Sequence, residues 1–368
     1  MHVLFDAYWW IDGPASNHQV LRDLVGAWFA EFPTDQATLV VPRKHQAAAR
    51  AELPDHIDLM PAYLKPHGVS AAVEMPMLAR RVRADVTLTH NFAPVIGTSG
   101  VFIQDVLFQT NPEWFTRAER LYLALIPLLA PRANVIFAST HCERGRIREH
   151  NQRIARVVPV GLAVGSELRD ATPQRPSVMR DNQPFLLSVG RLNVRKNLAF
   201  TVSAALESGA ISASTPLIVV GEREGMATDL ANNFRAAISS GVVRLVGRVT
   251  PAELAWLYSR AAGFVYLSLD EGFGLPPIEA LAFGCPVLVS DIPVFRETLG
   301  ARGEFVSPTD GQAAAIAISE LVKRGNRTRP HTDSVYTWPA VAKTIRAELK
   351  STIVTSSSQR WGRGHGTK

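Results

Sequence analysis

Apolar segments of strand length alternate with helix-length segments along nearly all of this chain, and that alternation leaves few architectures open. "MHVLFDA" opens as a strand and is followed by "ASNHQVLRDLVGAWFAEF", where Val20, Leu21, Leu24, Val25 and Trp28 fall at helical spacing. Further strands are expected at 37–42, 85–90, 100–106, 133–139 and 155–161, with helices over "MPMLARRVRA", 116–130 and "HCERGRIREHN". The pattern restarts at "PFLLSVG" (184–190) and continues with strands at 215–222, 242–247, 263–269, 285–290 and 303–308. Strands this uniformly apolar are buried on both faces, and separated by helices they build parallel sheets with helical covers. The fold class is therefore α/β.

Between the two runs, residues 162–183 are polar, proline-containing and aperiodic. A chain of 368 residues also exceeds one ordinary domain and suits two of about 150–200 residues. The expected layout is a first domain over 1–165, a linker over 166–183 and a second domain over 184–350, whose last helix can pack back on the first. The tail, 351–368, has no apolar periodicity and is expected to lack fixed structure. Two α/β domains joined in this way leave a cleft, a common position for ligands.

Cysteine usage and charge narrow the function classes. Cys142 and Cys285 are the two cysteines, which excludes a disulfide scaffold or a cysteine zinc site and fits a reducing compartment. The start lacks a basic region, Asp6 interrupts its apolar run, and no segment reaches the ~18 apolar residues of a membrane span. A cytoplasmic location is expected. The net charge of +6 is spread out, with no aromatic-interleaved basic stripe, so no nucleic-acid partner is expected. An anionic substrate or membrane surface accounts for it equally well. The apolar helix over 116–130, with Arg144, Arg146, Arg148, Arg153 and Arg156, suits a peripheral contact at the inner face of the cell membrane. A buried helix followed by a solvated basic one explains the same residues.

The richest stretch is "DEGFGLPPIEALAFGCPVLVS" (270–290), where seven residues separate Glu271 from Glu279. Pro276 and Pro277 suit the first positions of a helix, and Gly284 suits the residue after its end. Ile278, Leu281 and Ala282 form a stripe that packs on the sheet, which turns Glu279 away from the core. Gly272 and Gly274 let backbone N–H groups approach a ligand, the helix start favours phosphate, and the two carboxylates are good acceptors for sugar hydroxyls. A nucleotide sugar satisfies all three. An acidic turn followed by a helix-start glutamate, placed by the dipole, accounts for the same spacing.

No third glycine completes a dinucleotide fingerprint, no Walker loop is present, and no D-x-D pair offers a metal clamp. No metal and no cofactor are expected, so a bound diphosphate would rely on lysine and arginine. Arg191 and Lys196, in "SVGRLNVRKNLAF" (188–200), follow the first strand of the second run and are placed for that task. A solvated basic loop is the plainer account of them.

The glutamate pair, "SVGRLNVRKN" upstream and the run "GRVTPAELAWLYSRAAGFVYLSLDEGFGLPPIEALAFGCPVLVSDIPVFRE" resemble the retaining glycosyltransferases of family 4. The first half carries the resemblance more loosely, through "IQDVLFQTNPEWFTRAERLYLALIPLLAPRANVIFASTHCERGRI". That segment is most similar to bacterial mannosyl- and rhamnosyltransferases of surface polysaccharide synthesis. The resemblance implies the GT-B fold, two Rossmann-like domains with parallel sheets facing across a cleft. It implies that Arg191 and Lys196 bind the donor diphosphate and that Glu271 holds hydroxyls of the transferred sugar, aided by the amides of Gly272, Phe273 and Gly274. Glu279 would meet the ribose, Gly190 and Leu275 would complete the donor side, and Gly13 would approach the phosphates from the first domain. The family often has His-Asp where this chain has Gln104–Asp105. Gln104 can hydrogen-bond but cannot titrate. Asp105 suits a catalytic role or a strand-end cap, and His90 and Asn91 suit the acceptor side or a purely structural one.

The activity implied is metal-independent, retaining transfer of a hexose to a saccharide or lipid-linked saccharide in cell-surface glycan synthesis. GDP-mannose is the preferred donor, with dTDP-rhamnose and UDP-hexoses open. Without an evident nucleophile a front-face course fits: the diphosphate departs, and the acceptor hydroxyl enters on the same side of an oxocarbenium-like state. Two alternatives stay open. One is a nucleotide-sugar epimerase, and the other is a non-catalytic binding protein for anionic polymers.

Overall fold

A computed structural model of the chain describes residues 1–180, 182–191, 193–221, 234–325 and 336–363. They form two compact units: Met1–Leu162 with the segment from Tyr336 onward, and Ala163–Val335.

The first unit is built on a parallel sheet of seven strands: β1 (His2–Asp6), β2 (Gln36–Pro42), β3 (Asp58–Ala62), β4 (Val86–His90), β5 (Ser99–Ile103), β6 (Val135–Ala138) and β7 (Val157–Pro159). Their order is β3-β2-β1-β4-β5-β6-β7. Every residue of β1, β4 and β5 is buried, as strands covered on both faces require. Strand β3 goes beyond the sequence reading. It contains Pro61, which cannot donate to a ladder, and it sits at the sheet edge where such a residue is tolerated. The helix expected over 116–130 is broken into Arg117–Leu123 and Leu125–Leu129. Pro127 lacks the N–H that would reach the Leu123 carbonyl, and its ring crowds that turn.

The tail departs from expectation. Helix Trp338–Arg363 runs through most of it, and only 364–368 lie outside the described residues. The segment from Tyr336 belongs to the first unit. Val341, Ala342, Ile345 and Leu349 are fully buried, and Gly100 of β5 has no room for a Cβ because Leu349 fills the space. Arg346 donates to both oxygens of buried Asp35, at 2.6 and 2.7 Å, beside the N-terminal ammonium at 3.2 Å. Burial opposes ionisation of Asp35, but these two cations outweigh it and hold the carboxyl below its usual range. The apolar positions are spaced correctly for a helix face; the polar "SSSQR" that follows them masks it. Leu349→Ala should lower the stability of this unit by about 2–5 kcal/mol, read as a lower thermal midpoint. An unchanged midpoint would mean that the helix is not part of that core.

The second unit is a parallel sheet of six strands: β8 (Leu186–Val189), β9 (Leu217–Val220), β10 (Val243–Gly247), β11 (Gly263–Tyr266), β12 (Val287–Ser290) and β13 (Glu304–Val306). The order is β10-β9-β8-β11-β12-β13. Glu222, at the end of the strand expected over 215–222, lies outside the described residues. Helices Leu198–Glu207 and Gly311–Arg324 supply Val202, Ala205, Ile318 and Leu321 to the core over Leu186, Val219 and Leu288. Part of the expected linker is structured, with helix Ser166–Arg169 inside this unit.

Both sheets reverse strand order once, between β1 and β4 and between β8 and β11. Loops leaving the carboxyl ends of two such strands diverge to opposite faces and open a crevice, the usual ligand position in an open α/β sheet. Among the described residues, no helix is long and apolar enough to cross a membrane. Of the five arginines considered for a lipid contact, Arg146 pairs with Glu143 and Arg156 with Glu348.

Candidate active site

In the second unit, the crevice between β8 and β11 is where the sequence-predicted residues converge. Asn193 accepts from the Lys196 N–H at 3.1 Å and starts a single helical turn, Val194–Lys196. Asn197 follows in the left-handed region and donates to the Pro308 carbonyl at 2.9 Å. The Leu269 N–H, beyond β11, donates to the Arg195 carbonyl at 2.8 Å, so the two loops are bound to each other through backbone. Gly221, after β9, lies against the Gly190 carbonyl with no space for a Cβ.

Glu271 is buried, and this stitching brings Lys196 to it: Nζ donates to Oε1 at 2.7 Å. Arg195 donates to the other oxygen, Oε2. The Tyr266 hydroxyl, from the last residue of β11, donates to Oε1 at 3.0 Å and also meets Lys196 Nζ. Burial alone would push the Glu271 carboxyl up, but the Arg195 and Lys196 charges outweigh it and hold it below its usual range. Burial, and then the Glu271 charge, push the Tyr266 phenol well above its ordinary value, so it stays a donor. The result is an ionised glutamate clamped by three donors, two from the turn after β8 and one from the end of β11.

Beyond Glu271 the chain runs through Gly272 and Phe273 to Gly274, which has φ +82° and packs so tightly on the Phe295 ring that a Cβ would clash. Leu275 then begins helix Leu275–Ala282, with Pro276 and Pro277 in its first turn and Gly284 in the left-handed region after its end. Glu279 departs from expectation. It is buried, and its Oε2 accepts from the Tyr258 hydroxyl at 3.0 Å. Helix Pro251–Arg260 covers that face as well, so the glutamate side of the helix is not solvated. Arg191 is exposed on the loop after β8. Sequence reasoning passed over Arg195, Tyr266 and Tyr258.

The candidates in the first unit are more scattered. Asp105 follows β5 and caps the next turn, accepting from the Leu107 N–H at 3.3 Å. The backbone carbonyl of Gln104 accepts from Ser139 at 2.7 Å. His90 ends β4, is buried on Phe102, and has its pKa lowered to about 4 by burial and then by nearby His67. It is neutral at pH 7. Asn91 has φ +66°, and Gly13, with φ +134°, lies against the Trp9 ring. Among the described residues no cluster of three His, Cys, Asp or Glu side chains could hold a metal ion.

Residues 171–332, which hold the whole of this crevice, match the family Glycosyl transferases group 1. That stretch of the chain belongs to the family. Among similar proteins, the O-antigen chain mannosyltransferase RfbU of Salmonella typhimurium is 36% identical over 142 residues, covering 39% of each chain. The O-antigen chain mannosyltransferase B of Escherichia coli is 27% identical, over 85% of this chain and 76% of its own. The GDP-mannose:cellobiosyl-diphosphopolyprenol alpha-mannosyltransferase of Komagataeibacter xylinus is 28% identical over 48% and 46%. The chain thus spans well under half the length of RfbU. Solved structures extend the fold over both units. The sucrose-phosphate synthase of Thermosynechococcus elongatus superposes with a TM-score of 0.64 at 17% identity, covering 98% of each chain. Anabaena HepE in complex with UDP and glucose gives 0.59 at 16%, covering 98% and 100%. The fold is GT-B.

Proposed function

We propose that this group 1 glycosyltransferase moves a hexose, with retention, from a nucleotide-diphosphate sugar to a saccharide or lipid-linked saccharide in cell-surface glycan synthesis. GDP-mannose is the preferred donor. The observation that carries this reading is the clamp on Glu271, an ionised carboxylate and two cations beside an amide-rich loop and a helix start. Relatives named as O-antigen mannosyltransferases and a GDP-mannose-dependent enzyme favour mannose over the other hexoses.

Each part of the clamp has a task. Lys196 and Arg191 take the donor diphosphate, and the amides of Gly272, Phe273 and Gly274 meet its oxygens or the sugar. Glu271 orients Lys196 and Arg195 and accepts hydroxyls of the transferred hexose. Charge grows on the leaving phosphate as the glycosidic bond stretches, and a cation already held in place stabilises it with little reorganisation. The acceptor hydroxyl then enters on the face the phosphate leaves, and the phosphate takes its proton. No protein nucleophile is required, and no metal is required.

A screen of nucleotide sugars tests the reading. GDP-mannose should be consumed faster than dTDP-rhamnose and UDP-hexoses, consumption should rise when a glycan acceptor is added, and the product should be the α-anomer by NMR. Preference for a UDP-sugar would overturn the mannose assignment. Interconversion of the donor without transfer would make the protein an epimerase.

A further inference from the structure

The first unit holds a second constellation, at the carboxyl ends of β1, β2 and β3, that the donor chemistry does not use. A cavity of about 430 Å³ opens there, lined by Tyr8, Trp9, Lys44, Lys65, His67 and Tyr122 among others. A second cavity of about 410 Å³ shares Tyr8, Lys44 and Lys65 and adds Arg43 and Tyr63. Three cations thus line this ground, against Asp12 as its one acid, which lies 3.6 Å from Lys44 and is largely exposed. Lys65 makes no ion pair or hydrogen bond among the described residues.

The wall is built, not incidental. Buried Glu74 accepts from the N–H groups of Tyr63 and Leu64, at 2.8 and 3.1 Å, and from Ser70, fixing the strap that carries Lys65. The Gly68 N–H donates to the Tyr122 hydroxyl at 2.9 Å, which anchors the far side. Gly13 leaves room for the Trp9 ring, and Tyr8 and Trp9 pack on His67 with ring centroids 4.7 and 5.2 Å away.

At the base lies a carboxylate–imidazole pair. His67 Nε2 is 2.7 Å from Asp6 Oδ2, and both side chains are buried. The same oxygen accepts from the His90 N–H, so Asp6 is tied into the β1–β4 switch point. A carboxylate can only accept, so Nε2 of His67 carries the proton of this hydrogen bond. Two aromatic rings, an imidazole and two lysines in the first cavity, with Arg43 in the one that adjoins it, match a ligand with hydroxyl groups, an apolar sugar face and a phosphate.

From this arrangement we infer that the first unit carries a binding site for a glycosyl phosphate, with the phosphate on Lys44, Lys65 and Arg43 and the sugar against Tyr8, Trp9 and His67. This is a different location from His90, Asn91 and Gln104, the residues expected on the acceptor side. Calling the ligand an acceptor rests on the transferase reading; the binding itself does not.

Calorimetric titration of the full chain with α-mannose 1-phosphate, mannose and inorganic phosphate tests the site. Mannose 1-phosphate should bind at least about tenfold more tightly than either component, because both halves of the recess are engaged. The Lys44→Gln/Lys65→Gln double variant changes surface side chains and should weaken that binding by about tenfold or more. The titrations are made with the donor crevice saturated with GDP, because α-mannose 1-phosphate is also a fragment of the preferred donor and would otherwise bind there as well. Inorganic phosphate binding as tightly as mannose 1-phosphate would overturn the saccharide part. Undiminished binding by the double variant, or no binding once GDP fills the donor crevice, would overturn the site. The readout is binding without turnover, so failure here leaves the transferase reading to the nucleotide-sugar screen.

Discussion

Lys196→Ala is expected to lower kcat for sugar transfer by about a hundredfold or more, with a much smaller change in donor affinity. The ammonium is held by the Glu271 carboxylate at 2.7 Å and by the Tyr266 hydroxyl, over whose ring it lies at 4.8 Å. A cation fixed in this way would do little extra for a ground-state diphosphate, which on the proposed reading Arg191 and the loop amides also meet. It does most when a full additional charge arrives on the departing phosphate, which is where catalysis is gained. Lys196→Arg should restore only part of the rate, because a planar fork cannot occupy the point position between a carboxylate oxygen and a phenol. Steady-state kinetics with labelled GDP-mannose decides the matter. A raised KM with kcat within about threefold of the parent would mean that Lys196 binds ground and transition states alike, and its role in the chemistry would be withdrawn.

Much of this site lies close together in sequence, which is why so much of it could be read there. Glycines and prolines around Glu271 mark a loop and a helix start by their backbone limits alone, and Gly274 and Gly284 have the conformations those limits suggest. What could not be read is what the sheet assembles. Tyr266 reads as one more apolar residue of β11, and nothing local shows that its hydroxyl reaches an acid five positions on. Arg195 looks like a spacer between Arg191 and Lys196 until the Leu269 N–H binds its carbonyl and aligns the loops. Asp6 and His67 are 61 positions apart, and the pairing of β1 with β2 and of β2 with β3 brings the ends of β1, which Asp6 closes, and of β3, which His67 follows, to one edge of the sheet. Glu279 was misplaced for a related reason: an apolar stripe gives one buried face, but a second helix covers the other. Strand β3 was hidden by its proline, and the continuation of the last helix past 350 by its polar tail.

Glu271→Ala should cost at least about tenfold in transfer and, separately, about 3 kcal/mol in the stability of the second unit. The two losses have one origin. The carboxylate is buried and ionised, and its removal leaves Arg195 and Lys196 facing each other with no counter-charge. Breaking a buried pair costs about 3–5 kcal/mol, and the lower figure applies because the cations keep 24% and 14% of their side-chain exposure and can turn toward water. Glu271→Gln separates charge from shape. It keeps one acceptor oxygen but sets an amide N–H against a cation, so transfer should again fall by at least about tenfold with a smaller loss of stability. pH supplies an independent check. The folded carboxyl lies below its unfolded value, so its stabilisation is complete above the ordinary carboxylate range and is lost as pH falls through the lowered value. Acid unfolding of the parent should therefore steepen there, and in Glu271→Gln that contribution should be absent. Full transfer by Glu271→Ala would sink the donor-site reading outright, since a glutamate that neither orients the cations nor holds the sugar has no task left in that crevice.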